Sequence, residues 1–538
     1  MVISPTMRRA IAAGVIVISA ILLFAGLGHY ALWDDEAVTA LAAEGVWRTG
    51  DTSVLLDHNI VAYRNGLLLK GTHERSTPPL GAYLAAPFLG IFGHTSFVAR
   101  LPFALVGLAS VGLMLWWLYS FNANWMTYLL LGLAIIGNVS FQLYCRQCRY
   151  YSPAIFSSIL IAYLYVNWNG RRWQLALMAL AGIVLLASNY LNYAALHACL
   201  LMDYIIVGRK RKWLKWSDWL IVLGPQIVIG GIIVGIWNTL GTGNVEYIKG
   251  NSIAQRLELV WMNLRDMNAC EFGVGLLVLL APALYLVVKD PWLWRAPLAL
   301  LIYTFVVSFL SPQTLDSQSM MADVRYMAAA IPLCIAIGVL VLAHAARFSC
   351  WLALGVAFIG FGTNLLNGAP LCTRWLGVRS TIGDWMTELI QSPPDPYRPT
   401  EQWINAHVKA GDSIFVVPDY ATYPLMFHAP KAVYAGQLKD PPPPAFINVA
   451  PIHIAGRVIP DYVICMGRSE TLQQLINRPA AENPYQLIDH IDVDGTRMYR
   501  PELLLRSFKS LPVDWRQGNA IYIFKKKSLP QAGEGLGL

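Results

Sequence analysis

The chain has 538 residues, of which 56% are hydrophobic and only 13% charged, with a mean hydropathy of +0.47. A soluble domain carries about a quarter charged residues, so this composition excludes an ordinary globular protein and points to a polytopic α-helical membrane protein. The net charge of +8 sits in short basic clusters between apolar runs, the pattern of membrane orientation and not of nucleic-acid binding. The 8 cysteines in a chain this long make no disulfide scaffold.

In chain order, Arg8 and Arg9 precede an apolar run from Ala10 to about Leu27, longer than the roughly 7–15 residues of a signal-peptide core. No small-residue cleavage motif closes it, so a retained first transmembrane helix is expected. There follows His29-Tyr30-Ala31-Leu32-Trp33-Asp34-Asp35-Glu36, then a polar stretch through His73-Glu74-Arg75 to Pro78-Pro79-Leu80. Residues 80–92 are apolar but short, which suits an interfacial helix. At roughly 20 apolar residues per helix, about eleven spans are expected. They fall near 10–28, 97–118, 124–143, 153–168, 173–189, 191–207, 219–238, 271–288, 296–311, 327–344 and 350–367.

Parity then orients them. With Arg8 and Arg9 in the cytoplasm, the same side receives Arg171-Arg172, Arg209 to Lys212, the Lys289–Arg295 loop and Arg347, the short basic loops that the positive-inside rule demands. The other side receives the 29–96 loop, Cys145–Ser152, the 239–270 loop, Pro312–Tyr326 and everything after about 368. The expected organisation is a transmembrane domain over 1–370 and a linker over 371–399. An extracytoplasmic α/β domain follows over 400–527, with a disordered tail over 528–538. In the α/β domain a helix is expected over 400–405, strands at 413–417, 462–466 and 520–524, a helix at 471–476, and a loop at Pro441 to Pro444. No Gly-rich phosphate loop is present.

Three groups of residues could carry chemistry. Asp34, Asp35 and Glu36 at a membrane edge could take the proton of an attacking hydroxyl, or could be the solvated, acid-favouring start of a helix. Arg146 and Arg149, beside Tyr150 and Tyr151, could hold a lipid-linked phosphate; the alternative is an aromatic belt with snorkelling arginines. Arg325, with Tyr326, is a further phosphate ligand or else the partner of Asp323. The lone Cys145-Arg146-Gln147-Cys148 is too little for zinc and suits packing or a local disulfide. His29, His58, His73 and His197 are scattered and suit local hydrogen bonding. The acidic triplet could take a divalent cation, but no complete ligand set accompanies it, so no metal site and no cofactor are assigned.

Taken in order, an Asp-Glu pair after the first span (Asp35-Glu36), Pro78-Pro79-Leu80, Arg100-Leu101-Pro102, Arg149-Tyr150-Tyr151-Ser152 and a later Arg325-Tyr326 resemble the GT-C glycosyltransferases. The likeness is to the protein O-mannosyltransferase and lipid A aminoarabinose transferase superfamily, over about residues 8–345. The resemblance implies a membrane glycosyltransferase that moves a sugar, with inversion, from a polyprenyl-phosphate donor to an acceptor hydroxyl on a protein, glycan or lipid at the extracytoplasmic face. It implies Asp35 as the catalytic aspartate with Glu36 and Asp34 beside it. The phosphate would lie on Arg149, Arg325, Arg146 and Arg75, with Tyr150, Tyr151, Tyr326, His73 and Glu74 as donor or acceptor contacts. Thr77 departs from the pattern, since members often carry Lys or His before Pro-Pro-Leu; Arg75 and His73 are the nearby replacements. The expected location is a bacterial inner membrane with the N-terminus cytoplasmic. The rival functions are a flippase or a non-catalytic binder of lipid-linked sugars.

Overall fold

The computed structural model describes residues 5–67, 69–208, 214–237, 251–270, 273–313, 324–366, 378, 380–391, 395–467, 469–479, 481–493 and 519–527. The Arg209–Lys212 cluster, Asp323, residues 371–377, 379 and 392–394 of the expected linker, and the tail lie outside the described residues. The chain forms two compact units, Met1–His29 with Arg75–Ser392 and Arg500–Pro512, and Tyr30–Glu74 with Pro393–Tyr499 and Val513–Leu538.

The first unit is helical. Among the described residues, six helices are long and apolar enough to cross a membrane, or seven with a bent pair taken as one span. The chain is therefore an integral membrane protein. The six are Thr6–Phe24, Ser96–Ser120, Tyr190–Gly208, Trp216–Ile236, Trp292–Leu310 and Val324–Phe348. The remaining expected spans are occupied by shorter apolar helices, Tyr151–Val166, Arg172–Ser188, Gly275–Val288 and Cys350–Gly362, and Leu80–Phe92 is helical as well. Polar side chains start several of them: Thr95, Asn124 and Asn138 each accept a backbone N–H two or three residues into the following helix, satisfying donors that hydrocarbon cannot. Asn138 also marks the break in the bent pair Trp125–Gly137 and Val139–Arg146, where the axis turns by 60°. One apolar cluster joins most of these helices, from Val15 and Leu131 through Tyr144 and Tyr151 to Met327 and Phe361, without Leu80–Phe92 and Trp216–Ile236.

The 239–270 stretch, expected as a loop, contains an 18-residue helix, Ile253–Cys270. It carries too many polar residues to read as a span, and those residues anchor it. Arg256 donates to the carbonyls of Ser308 and Ser311 at 3.1 and 2.8 Å, and Asn263 donates to Ser308 Oγ at 2.9 Å.

The second unit is α/β. Five strands, β5 (Ser413–Val417), β6 (Val433–Tyr434), β7 (Tyr462–Met466), β8 (Tyr485–Val493) and β9 (Asn519–Lys526), form one sheet in the order β6-β5-β7-β9-β8. β5 runs parallel to β6 and β7, whereas β9 is antiparallel to β7 and β8. The strands expected at 413–417 and 462–466 coincide with β5 and β7, because both are short apolar runs with buried faces. Helix Glu470–Asn477 begins at Ser469, whose side chain accepts from Leu472 N–H. The edge strand β8 and the helix Thr422–His428 were not foreseen: most of β8 is exposed and carries no apolar alternation.

Residues Tyr30–Glu74 belong to this same unit. They contain helix Asp34–Thr49 and two small hairpins, β1 (Leu55–Leu56) with β2 (Asn59–Ile60) and β3 (Leu69–Lys70) with β4 (His73–Glu74). Buried Asn59 ties them to β6. Its Nδ2 donates to Ala432 O at 2.9 Å and its Oδ1 accepts from Tyr434 N–H at 2.8 Å, so one amide side chain does the work of a strand neighbour.

Candidate functional site

The acidic triplet forms the first turn of helix Asp34–Thr49. Carboxylates suit that end because the unpaired N–H groups there carry partial positive charge. The solvated alternative does not hold: Asp34 is 4% and Glu36 0% exposed, and Trp33 before them is 0% exposed. Asp35 alone of the three is half-buried, with its backbone N–H donating to Asp34 Oδ1 at 2.9 Å. Burying two carboxylates is costly, and the wall beside them is a second unforeseen feature. Tyr423, buried on helix Thr422–His428, has its phenol pushed well above its usual pKa by burial first, then by Asp419, Tyr63, Glu74 and Asp34. One hydroxyl thus lies within electrostatic reach of both Asp34 and Glu74. No sequence signal marked Tyr423, which lies 389 positions from Asp34 and in no motif.

Glu74 is buried on β4, its backbone N–H donating to Thr52 O at 2.9 Å while Thr52 Oγ1 donates to Glu74 O at 2.7 Å. His73 turns the other way, half-exposed, with Nε2 3.7 Å from an Asp51 carboxylate oxygen. Among the described residues no group of three or more His, Cys, Asp or Glu side chains is arranged to hold a metal ion.

The arginines lie in the first unit, and they differ. Arg146 is 1% exposed; its Nη1 donates to the carbonyls of Leu22 and Ala25 at 2.7 and 2.6 Å, and its guanidinium lies 5.3 Å from the centre of the Trp385 ring. Those carbonyls belong to the end of the first helix, so Arg146 caps it. Arg149 is half-buried in the short connection between Val139–Arg146 and Tyr151–Val166, 5.7 Å from the Tyr150 ring centre. Arg325, also half-buried, lies 5.6 Å from the Tyr326 ring centre on the 3-10 turn Val324–Ala330. Tyr150 and Tyr151 pack ring to ring at 4.5 Å, and Tyr150, Tyr151 and Tyr326 all pack on the same apolar cluster. The 3-10 turn itself packs against helix Tyr151–Val166. Two Arg-Tyr pairs far apart in sequence are thereby seated on one core. Arg75 is buried and lies 4.6 Å over the Trp237 ring. Arg100, 0% exposed, donates to Leu27 O at 3.0 Å. Cys145 and Cys148 are buried and form no disulfide, so of the two alternatives for that pair it is packing that holds. His197 makes the expected local bond, to Tyr193 O four residues away, whereas His58 bonds at long range, its Nε2 lying 2.9 Å from Pro430 O across 372 positions.

No family model matches the chain, and no curated protein does. Among solved structures it is similar to ArnT from Cupriavidus metallidurans bound to undecaprenyl phosphate, at 14% identity and a TM-score of 0.48, over 95% of this chain and 97% of that one. It is similar to arabinofuranosyltransferase AftD from Mycobacteria at 13% identity and 0.41, over 98% of this chain and 40% of that one. The oligosaccharyltransferase of Archaeoglobus fulgidus, tethered with an acceptor peptide, gives 10% identity and 0.44, over 86% and 69%. These neighbours are GT-C glycosyltransferases, the class that the motif order resembles.

Proposed function

We propose that the chain is a membrane glycosyltransferase that moves a sugar from a polyprenyl-phosphate donor to an acceptor hydroxyl at the extracytoplasmic face, with inversion. The observation that carries this reading is the acidic first turn of helix Asp34–Thr49, where Asp34 and Glu36 are buried and Asp35 is left half-buried. In the proposed step Asp35 accepts the acceptor's O–H proton. The freed oxygen lone pair forms the new bond to the anomeric carbon, and the carbon–oxygen bond to phosphate breaks, its electrons leaving on the polyprenyl phosphate. Arg149 and Arg325 hold that phosphate, as cations placed where negative charge develops. Two of the donors of Arg146 go to the carbonyls of Leu22 and Ala25; Arg146 and Arg75 are the further phosphate candidates. The topology proposed with this function has eleven spans, the N-terminus in the cytoplasm and the α/β unit outside.

The test uses purified full-length protein in nanodiscs with synthetic undecaprenyl phosphate-linked mannose and aminoarabinose. Release of undecaprenyl phosphate is measured with and without acceptor peptide, glycan or lipid. Release that depends on Asp35 supports the reading. Donor binding with no release, or release unaffected by Asp35→Asn, sinks it and favours a flippase or a binder.

A further inference from the structure

The chain that enters helix Asp34–Thr49 is gripped by side chains from near the other end of the sequence. Ala31 N–H donates to Asp395 Oδ2 at 2.6 Å, and Leu32 N–H donates to His428 Nε2 at 3.3 Å. The partners lie 364 and 396 positions away. Ala31, Leu32 and Trp33 are all 0% exposed, so water does not compete for these amides. The N-cap residue Trp33 supplies no side-chain cap, the role that Ser, Thr, Asp or Asn ordinarily fills. The entry to the helix is thus held from outside its own segment.

Both anchors are themselves fixed. Asp395 uses its other oxygen, Oδ1, to accept from Tyr397 N–H at 2.9 Å, at the start of helix Tyr397–His407. His428 is the last residue of helix Thr422–His428, which packs along helix Asp34–Thr49, and its ring meets Phe427 edge-on at 4.9 Å. To accept at Nε2 the imidazole is neutral, with its proton on Nδ1.

We propose that Asp395 and His428 are positioning residues for Asp35: by clamping the Ala31 and Leu32 amides they set where the first turn of the acidic helix begins. Their role for the C-terminal segment is to build the mount of the proposed base, three and four residues before it. The inference rests on the transferase reading for its catalytic consequence, though the clamp can be measured without substrate.

The test compares full-length wild type, His428→Phe, His428→Gln and Asp395→Leu in nanodiscs. Phe keeps the ring but cannot accept a hydrogen bond, whereas the Gln side-chain oxygen can. Two readouts are taken: hydrogen exchange of a peptide covering residues 28–38, and kcat and KM for release of undecaprenyl phosphate from the synthetic mannose and aminoarabinose donors. In His428→Phe, exchange at the clamped amides should speed up about tenfold and kcat should fall about tenfold or more, with donor KM within about twofold. His428→Gln should return kcat to within about threefold of wild type. Asp395→Leu, which has no acceptor, should show the same split and stands in if the Phe variant fails to fold. Unchanged exchange overturns the clamp. Faster exchange with unchanged kcat, or equal losses in the Phe and Gln variants, overturns the positioning role. If wild type releases no undecaprenyl phosphate from either donor, the transferase reading and the positioning role fall together, while the exchange still decides the clamp.

Discussion

At the scale of single residues, the three carboxylates and the arginines separate by environment. Asp35 is the half-buried member of a triplet whose other two members are buried. Asp35→Asn should lower the rate of sugar transfer by about 100-fold or more, and equilibrium binding of undecaprenyl phosphate to the same variant should be unchanged. Arg146 and Arg149 look alike in sequence and are unlike in structure. Arg146→Met would strip two carbonyls of their donor, at about 1–3 kcal/mol for each buried group left unsatisfied. It should lower the thermal unfolding temperature of the solubilised protein. Arg149→Gln should instead weaken undecaprenyl phosphate binding while leaving that temperature nearly unchanged. If the two variants swapped behaviours, the assignment of a capping role to one and a phosphate role to the other would be wrong.

At the scale of elements, close approach and charge placement decide which substitutions the second unit tolerates. A Cβ on Gly45 would run into the carbonyl oxygen and amide nitrogen of Ser53, so helix Asp34–Thr49 lies against that backbone only because residue 45 lacks a side chain. Gly45→Ala should destabilise the unit by about 1–3 kcal/mol through overpacking, read as a lower unfolding midpoint, despite the better helix propensity of Ala. Between β5 and β7, Asp461 accepts from the Ser413 backbone N–H at 2.9 Å and from Ser413 Oγ at 2.7 Å. Burial alone would raise its pKa, but those two bonds and the charge of Lys526 outweigh it and the pKa is lowered. A carboxylate lowered in the folded state contributes stability above its unfolded pKa of about 3.9, and that contribution is lost as pH falls through the lower folded value. Asp461→Asn should therefore reduce the unfolding temperature above the unfolded carboxylate pKa of about 3.9, and the gap from wild type should narrow as pH falls below it. A gap independent of pH would show that the Asp461 charge is not what the Ser413 bonds stabilise.

At the scale of the whole molecule, Tyr30–Glu74 shares a compact unit with Pro393–Tyr499 through Asn59, Asp395 and His428. A chain ended after residue 391 should keep the helices of the first unit, yet trypsin should cut it readily at Arg48 and Lys70, where the full chain resists. Mass spectrometry of the fragments checks this. Much of the architecture was legible without coordinates. Apolar runs marked the helices because hydrocarbon demands internal backbone bonding, and short buried runs marked β5 and β7 because both faces of a central strand are covered. The acidic start of helix Asp34–Thr49 was legible too, as an oddity of charge at a membrane edge. Three things were not. A mostly exposed edge strand such as β8 leaves no periodicity to find. The bend at Asn138 is a matter of one capping side chain within a continuous apolar run. And Tyr423, Asp395 and His428 carry no motif of their own, since their importance comes only from what lies across from them. The sequence by itself determined a membrane chain with an α/β segment and a candidate acid, because hydrophobic period and charge are local properties. Only the tertiary structure decided that Arg146 caps a helix, that Asp34 and Glu36 are buried, and that the chain entering helix Asp34–Thr49 bonds to residues more than 360 positions away. Burial and hydrogen-bond partnership are set by long-range packing, which no local pattern encodes.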